Sequence, residues 1–171
     1  MLLRPAEPED AIAVARVHVR SWQVAYRTLL PGDYLDQLRP EDRAEKYDFA
    51  TVDPLKPQTI VAAEERLIYG FATTAPSRDP DVAEYGELCA LYVEPEQWGR
   101  GIGMALVSAA RASLFARGFR NALLWVLAGN VRAERFYRID RWAPDGQRRT
   151  DSVWGVTVNE VRYQRGLTKA I

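Results

Sequence analysis

The segment Trp98-Gly99-Arg100-Gly101-Ile102-Gly103 constrains this chain more than any other. Three alternating glycines separate a β-rich run, Glu87 to Val93, from a long helical pattern. In that pattern Leu106, Ala109 or Ala110, Leu114 and Phe115 form one apolar stripe that closes at Arg117-Gly118. Glycines at a strand-to-helix turn let the backbone come close to a ligand and turn several N–H groups into one concavity. They do so at the helix end whose partial positive charge favours phosphate. A flexible loop with a glycine cap explains one such glycine and poorly explains three.

Spacing separates the possible owners of such a turn. A nucleotide P-loop requires Gly-Lys-Ser/Thr, whereas Gly103 is followed by Met104-Ala105. The dinucleotide pattern G-x-G-x-x-G fails at Met104 when counted from Gly99 and at Leu106 when counted from Gly101. The ribose-binding acid expected about 20 residues later is missing, since Gly118 to Asn130 contains no Asp or Glu. The P-loop is thereby excluded and a nicotinamide oxidoreductase disfavoured.

The remaining chain reads as one domain, residues 1–171, with no repeat, low-complexity tract or linker. Leu2 to Arg4 suits an edge strand. Ile12, Ala15, Val19, Trp22 and Tyr26 recur at spacings of three and four, predicting an amphipathic helix that ends near Leu30-Pro31-Gly32. A second helical stretch, Asp33 to Leu38 and Glu41 to Phe49, is broken by Pro40. Gln58 to Ala63 and Leu67 to Thr74 predict a hairpin about Glu64-Glu65-Arg66, followed by a loop from Ala75 to Glu84. Ala122 to Leu127 predicts a strand and Asn130 to Ile139 a short helix. Trp142 and Val153 to Tyr163 read as closing strands, with Asp145-Gly146 as the turn between them.

Composition fixes the setting. The chain carries 23 Lys+Arg against 23 Asp+Glu, which excludes a strongly basic nucleic-acid binder. The balance hides a gradient: residues 1–85 hold 10 Lys+Arg and 15 Asp+Glu, and residues 86–171 hold 13 and 8. Two differently charged ligands are one reading of that asymmetry, and a chance surface composition is the other. The lone Cys89 forms no intramolecular disulfide and favours a reducing, cytoplasmic setting. Charges and prolines interrupt the N-terminal ten residues, against a signal peptide, and no stretch approaches the roughly 18 apolar residues of a membrane span. One histidine and one cysteine predict no metal site.

Two motifs together carry a family resemblance. Trp98-Gly99-Arg100-Gly101-Ile102-Gly103 resembles the acyl-CoA signature Gln/Arg-x-x-Gly-x-Gly/Ala of the GNAT superfamily of N-acetyltransferases. Asn130, Ala133, Phe136 and Tyr137 resemble that family's later Asn, Ala, Phe-Tyr signature at the family's mutual distance, so the match covers roughly residues 86–142. The resemblance implies an α/β (α+β) fold: a mixed, mostly antiparallel sheet of about six or seven strands flanked by about four helices, its central strands splayed into an acyl-CoA cleft. Two positions depart from the family. Trp98 replaces Gln or Arg, a change expected to matter little where backbone N–H groups make the cradle. Arg141 replaces a glycine after the Phe-Tyr helix, which calls for a positive φ or a different helix end.

What the resemblance implies for chemistry can be stated residue by residue. Acetyl-CoA is the co-substrate. Its phosphates meet Trp98, Gly99, Arg100, Gly101, Ile102, Gly103 and Met104, with arginines such as Arg132 and Arg135 beside them. Its pantetheine arm runs along Leu91, Tyr92 and Val93, and Asn130, Ala133 and Phe136 complete the donor site. The Val93 N–H then holds the thioester oxyanion, an effect of about 3 to 4 kcal/mol per donor. An amine with an ordinary pKa of ~10.4 needs a base, for which Glu87 is the candidate against a solvated strand-end glutamate. Tyr137 is the candidate acid for the departing thiolate, against a plain core aromatic, and Asn130 suits a helix cap as well.

The acceptor is less legible. By resemblance Trp22, Tyr26, Tyr34 and Trp154 shape its pocket, and Asp33, Asp36, Glu41 and Asp42 are available to attract a cationic amine or simply to be solvated. His18 reads as a surface or partly packed residue. A covalent route through Cys89 is set aside because no histidine lies near it in sequence. The expected activity is direct acetyl transfer to a primary amine of a small molecule or protein N-terminus. A non-catalytic acyl-CoA sensor of the same fold is the alternative. No nucleic acid or membrane partner is expected. Dimerisation through the C-terminal strands is common in the family, though this sequence carries no interface signal.

Overall fold

The computed structural model describes residues 1–169. Seven strands, β1 (Leu2–Pro5), β2 (Gln58–Glu64), β3 (Leu67–Pro76), β4 (Gly86–Val93), β5 (Asn121–Leu127), β6 (Ala143–Val153) and β7 (Val156–Gly166), form one sheet in the order β1-β2-β3-β4-β5-β7-β6. Neighbours are antiparallel except β4 and β5, which run parallel. The α-helices are α1 (Ala11–Ala25), α2 (Gly32–Asp36), α3 (Pro40–Ala44), α4 (Ile102–Ala116) and α5 (Val131–Ile139).

Helices cover both sheet faces because strands in the middle of the sheet are apolar on both. On one face α4 buries Leu106, Ala110 and Leu114, spaced by four, against Ala62, Ala72, Leu88 and Leu124. On the other, α1 sets Val14 and Val17 against Val61, Ala63, Ile68 and Phe71. The tight two-residue link Glu65-Arg66 closes the β2–β3 hairpin as the sequence predicts.

The feature that makes the site is a failure of pairing. β4 and β5 are hydrogen-bonded only at Gly86/Ala122 and Glu87/Leu123, and above those residues they part. A parallel pair cannot be closed by a hairpin, and here each strand satisfies its other edge, β4 on β3 and β5 on β7. The inner edge of β4 from Leu88 to Val93 is left without a strand partner.

Two expectations change. Asp145-Gly146 does not reverse the chain. It makes a bulge inside β6 between Pro144 and Arg148, with the Asp145 carboxylate accepting from the Gln147 N–H and from Arg162. The reversal falls at Trp154-Gly155, both at positive φ (54° and 78°), so Val153 ends β6 instead of opening the last strand. The first helix also stops at Ala25, short of Leu30, and the second stretch is helical only over α2 and α3.

Arg141 takes the positive φ of the missing glycine, 65°. The Trp142 N–H bonds to the Tyr137 carbonyl and the Arg141 N–H to the Arg138 carbonyl, the paired bonds of a Schellman helix end. Asp140 secures this exit: Arg111, Arg165 and the Trp142 indole N–H all bond to its carboxylate. The helix therefore ends as a glycine would end it, at the cost of backbone strain.

Candidate active site

A cavity of about 750 Å³ fills the gap between β4 and β5. One end is the glycine turn. Gly101 sits at φ 82°, where a side chain is strained, and α4 starts at the next residue. The first intrahelical bond is from the Ala105 N–H to the Gly101 carbonyl, so the N–H groups of Ile102, Gly103 and Met104 have no partner within the helix. A Cβ on Gly103 would stand 3.3 Å from the Phe136 ring, which is why α5 can close over this end. Convergent free N–H groups at the start of a 15-residue helix suit a pyrophosphate.

Trp98 does more here than a neutral replacement would. Its indole N–H donates to the Val93 carbonyl at 2.8 Å, and the Arg132 guanidinium lies 3.3 Å from its ring centre. The turn is thus tied to the end of β4, and a cation is held beside it. Arg132 is on the cavity wall, whereas Arg100 and Arg135 are exposed and are not.

Along β4, hydrogen-bond alternation decides which groups face the gap. The Glu94 N–H bonds to the Tyr69 carbonyl across β3, so the Val93/Gly70 and Leu91/Ala72 pairs are the non-bonded ones. The backbone groups of Leu91 and Val93 therefore point into the cavity. The Val93 carbonyl is taken by Ser21 Oγ (3.0 Å) and Trp98, and its N–H is turned the same way. A β-bulge at Cys89, between the Thr73/Ala90 and Thr74/Leu88 pairs, bends β4 at the floor of the gap.

The other end is aromatic. Trp22, Tyr26, Tyr92 and Trp154 line it, with the Tyr26 and Tyr92 hydroxyls 3.4 Å apart. Trp154 reaches this wall because the β6–β7 turn carries it across the cleft, where the Tyr34 hydroxyl donates to its carbonyl at 2.6 Å. Behind the wall His18 is buried, not superficial: it stacks on Tyr92 (4.5 Å) and Trp154 (4.7 Å) and its Nδ1 is 2.8 Å from the Tyr47 hydroxyl. Burial first, and Arg43 second, hold its imidazole well below the ordinary pKa.

The titratable groups sort by position. Tyr137 lines the cavity from α5, and burial raises its phenol above the ordinary range. Cys89 is exposed on the cavity wall, yet the enclosing walls and the Glu87 carboxylate push its thiol up to about 12, so it stays in the thiol form. Glu87 is 2% exposed and lies below the point where β4 and β5 part. Arg78 bonds both its oxygens, at 3.0 and 3.4 Å, and Arg78 is what reaches the wall, so the structure does not bring Glu87 to the cavity. The carboxylates on the wall are Asp151 and Glu160. Glu160 stands opposite Leu127 at the open end of β5, and Arg149 donates to it at 2.9 Å. Burial outweighs that arginine and holds its carboxyl above the usual range.

The cavity thus gathers Trp22, Tyr26, Leu91, Tyr92, Val93, Trp98, Gly99, Gly101, Ile102, Gly103, Met104, Asn130, Arg132, Ala133, Phe136, Tyr137 and Trp154, all singled out in the sequence. Asn130 caps α5 through the Ala133 N–H. The sequence did not single out Ser21, Arg43, Arg78, Arg149, Asp151 and Glu160 on this wall: most lie in mixed or charged stretches that carry no motif. Asp33, Glu41 and Asp42 are off the wall, and Asp36 pairs with Arg27. Among the described residues, no group of three His, Cys, Asp or Glu is arranged to hold a metal ion.

Comparison with known proteins agrees with this geometry. A sequence model of the acetyltransferase (GNAT) family matches residues 18–140. The chain belongs to that family. It is 32% identical over 128 residues to the uncharacterized N-acetyltransferase YuaI of Bacillus subtilis, spanning 75% of this chain and 72% of that one. Among solved structures, a GCN5-related N-acetyltransferase from Rhodopseudomonas palustris superposes with a TM-score of 0.73 at 24% identity, covering 97% of this chain and 95% of the other. The yncA protein of Salmonella typhimurium, solved with its cofactor acetyl-CoA, gives a TM-score of 0.71 at 17% identity over 100% of this chain and 96% of the other. These neighbours share the fold.

Proposed function

We propose that this protein is a single-domain cytoplasmic N-acetyltransferase that moves the acetyl group of acetyl-CoA directly onto a primary amine. The observation that carries this reading is one continuous path. Free helix N–H groups lead to the edge of β4 without a strand partner, at Leu91 and the Val93 N–H, and that edge leads to a wall bearing Glu160 and Tyr137.

Each group has a task along the path. The glycine turn and Arg132 hold the donor's phosphates, and the β4 edge aligns its amide-bearing arm as an added strand. The Val93 N–H accepts the charge that develops on the thioester oxygen. Glu160 takes a proton from the incoming ammonium, and its raised pKa brings it closer to the basicity the task needs. The amine forms the C–N bond, the C–S bond breaks, Tyr137 protonates the leaving thiolate, and the surplus proton on the new amide nitrogen passes through solvent to restore the phenol. Burial disfavours a bare thiolate in this cavity as it disfavours the Tyr137 phenolate, which suits a hydrogen bond from that phenol to the leaving sulfur. Glu87, first expected as the base, is assigned a positioning role through Arg78.

Release of free thiol from acetyl-CoA across a panel of primary amines tests the reading. Amine-dependent release with matching N-acetyl product is expected. Tight donor binding with no amine-dependent release under any condition would favour the non-catalytic sensor.

A further inference from the structure

The cavity wall carries six charged side chains: Arg43, Arg78, Arg132, Arg149, Asp151 and Glu160. Four are already matched. Arg78 is bound to Glu87, and Arg149 lies 2.9 Å from Glu160 and 3.5 Å from Asp151. Two cations remain, one at each end. Arg132 lies on Trp98 beside the glycine turn, where the donor's phosphates account for it. Arg43 is at the aromatic end, against ring faces and the Tyr47 phenol, and among the described residues no acid pairs with it.

Arg43 forms no ion pair among the described residues. Its guanidinium rests against Trp154 (4.9 Å to the ring centre) and Tyr47 (5.3 Å), and its Nε is buried without a hydrogen-bond partner. A second under-satisfied donor is near: the buried Trp22 indole N–H makes no close hydrogen bond, with only the Tyr92 phenol towards it, and Trp22 packs edge-on against Trp154 at 4.7 Å. Buried donors are normally satisfied, and two such donors about one indole call for an outside acceptor of hydrogen bonds. A guanidinium is matched best by a carboxylate or phosphate, whose oxygens fit its fork. A side cavity of about 220 Å³ shares Arg43 and Ala90 with the main one and adds Lys46 and Lys56 against the single acid Asp48, so positive charge continues past Arg43.

A plain alkylammonium would meet this unmatched cation with nothing to offer it. Glu160, Asp151 and Arg149 together leave one net negative charge on the same cavity's wall, and the Tyr92 phenol feels both Arg43 and Glu160. The acceptor region is therefore dipolar. Resting on the N-acetyltransferase reading, we propose that the acceptor is a zwitterionic small molecule, a primary amine that also bears an acid group, whose anion pairs with Arg43 while its amine faces Glu160.

Matched probes test this: L-phenylalanine against phenethylamine, and O-phosphoethanolamine against ethanolamine, with wild type, Arg43→Gln, Arg43→Lys and the exposed Arg39→Gln. Thiol release gives kcat/KM, and quenching of the tryptophan emission of the coenzyme A complex gives binding without turnover. The expected result is a preference of about tenfold or more for the acid-bearing member of at least one pair in wild type, corresponding to about 1.4 kcal/mol. That preference falls to within about twofold in Arg43→Gln through a rise in KM, is partly kept in Arg43→Lys and is unchanged in Arg39→Gln. Equal or better use of the decarboxylated amines, or a preference that survives Arg43→Gln, overturns the proposal while leaving the acetyltransferase reading intact. If no amine releases thiol, that reading fails instead. The binding arm then decides: acid-bearing probes that bind wild type and not Arg43→Gln support the anion site, and indifference to Arg43 overturns it.

Discussion

Gly101→Ala separates what the glycine turn does for stability from what it does for the donor. Gly101 lies at φ 82° and a Cβ there would have no atom within 4 Å, so the substitution introduces backbone strain without a clash. A left-handed non-glycine residue costs about 1 to 2 kcal/mol, and removing glycine from the unfolded chain returns about 0.4 to 1 kcal/mol. The net loss is about 0.5 to 1.5 kcal/mol, a drop of a few degrees in Tm for a domain of this size. Gly118, just past the other end of α4, provides the control, since it has φ 98° and equally open space. Gly118→Ala carries the same strain and touches no part of the cavity. Relaxing the strain at Gly101 turns the Ile102 and Gly103 N–H groups away from the phosphate position, and a hydrogen bond to a charged group is worth about 1.5 to 3 kcal/mol. Calorimetric titration should show acetyl-CoA affinity weakened by about tenfold or more in Gly101→Ala and by less than about twofold in Gly118→Ala, with similar losses of Tm. Equal weakening in both, or none in Gly101→Ala, would refute the placement of the phosphates on this turn.

Other consequences are as direct. Arg141→Gly, which relieves φ 65° at the end of α5, should stabilise the fold by about 0.5 to 1 kcal/mol in urea titration, and an unchanged or lower midpoint would show that the left-handed exit is not strained. His18 is neutral when folded and titrates near 6.5 when unfolded, so stability should fall as pH drops below that value. Between about pH 7.5 and 5.5 wild type should lose more stability than His18→Gln, and parallel losses would mean that His18 protonates in place. Tyr137→Phe should lower kcat by about tenfold or more while leaving acetyl-CoA affinity within about twofold, and an unaltered kcat removes Tyr137 from the acid role. The acid limb of the wild-type pH–rate profile should lie above the range of an ordinary glutamate, because the rate needs Glu160 ionised and burial raises its pKa. Glu160→Gln should abolish that limb; a limb that stays would point to another base.

What the sequence could reveal depended on whether the cause was local. The strand, glycine turn and α4 were legible because strained φ and helix-end chemistry belong to the residues themselves. The same holds for the β2–β3 hairpin and for the asparagine cap of α5. The β6–β7 reversal was not, because Asp145-Gly146 is a turn signal that tertiary contacts convert to a bulge, while Trp154 is a poor turn residue held in place by Tyr34 and the α1 aromatics. Glu87 and Glu160 illustrate the limit for the site. Both are glutamates in strands, and only the height at which β4 and β5 part decides which one meets the cavity. Arg43 was hidden for a related reason: it lies in an acidic stretch whose acids face water, so the net charge of the segment has the opposite sign to the side chain on the wall. The gradient between the halves of the chain was informative at the glycine turn and misleading at the acceptor end.

Single-turnover mixing of the protein with acetyl-CoA, with and without a primary amine, followed by intact-mass measurement of both protein and products, tests direct transfer most sharply. Direct transfer requires that without amine the protein keeps its mass and the thioester stays whole, and that with amine the acetyl group appears on the amine at the rate at which thiol is released. An acetylated protein that forms before the amine is added, with the adduct on Cys89, would contradict it.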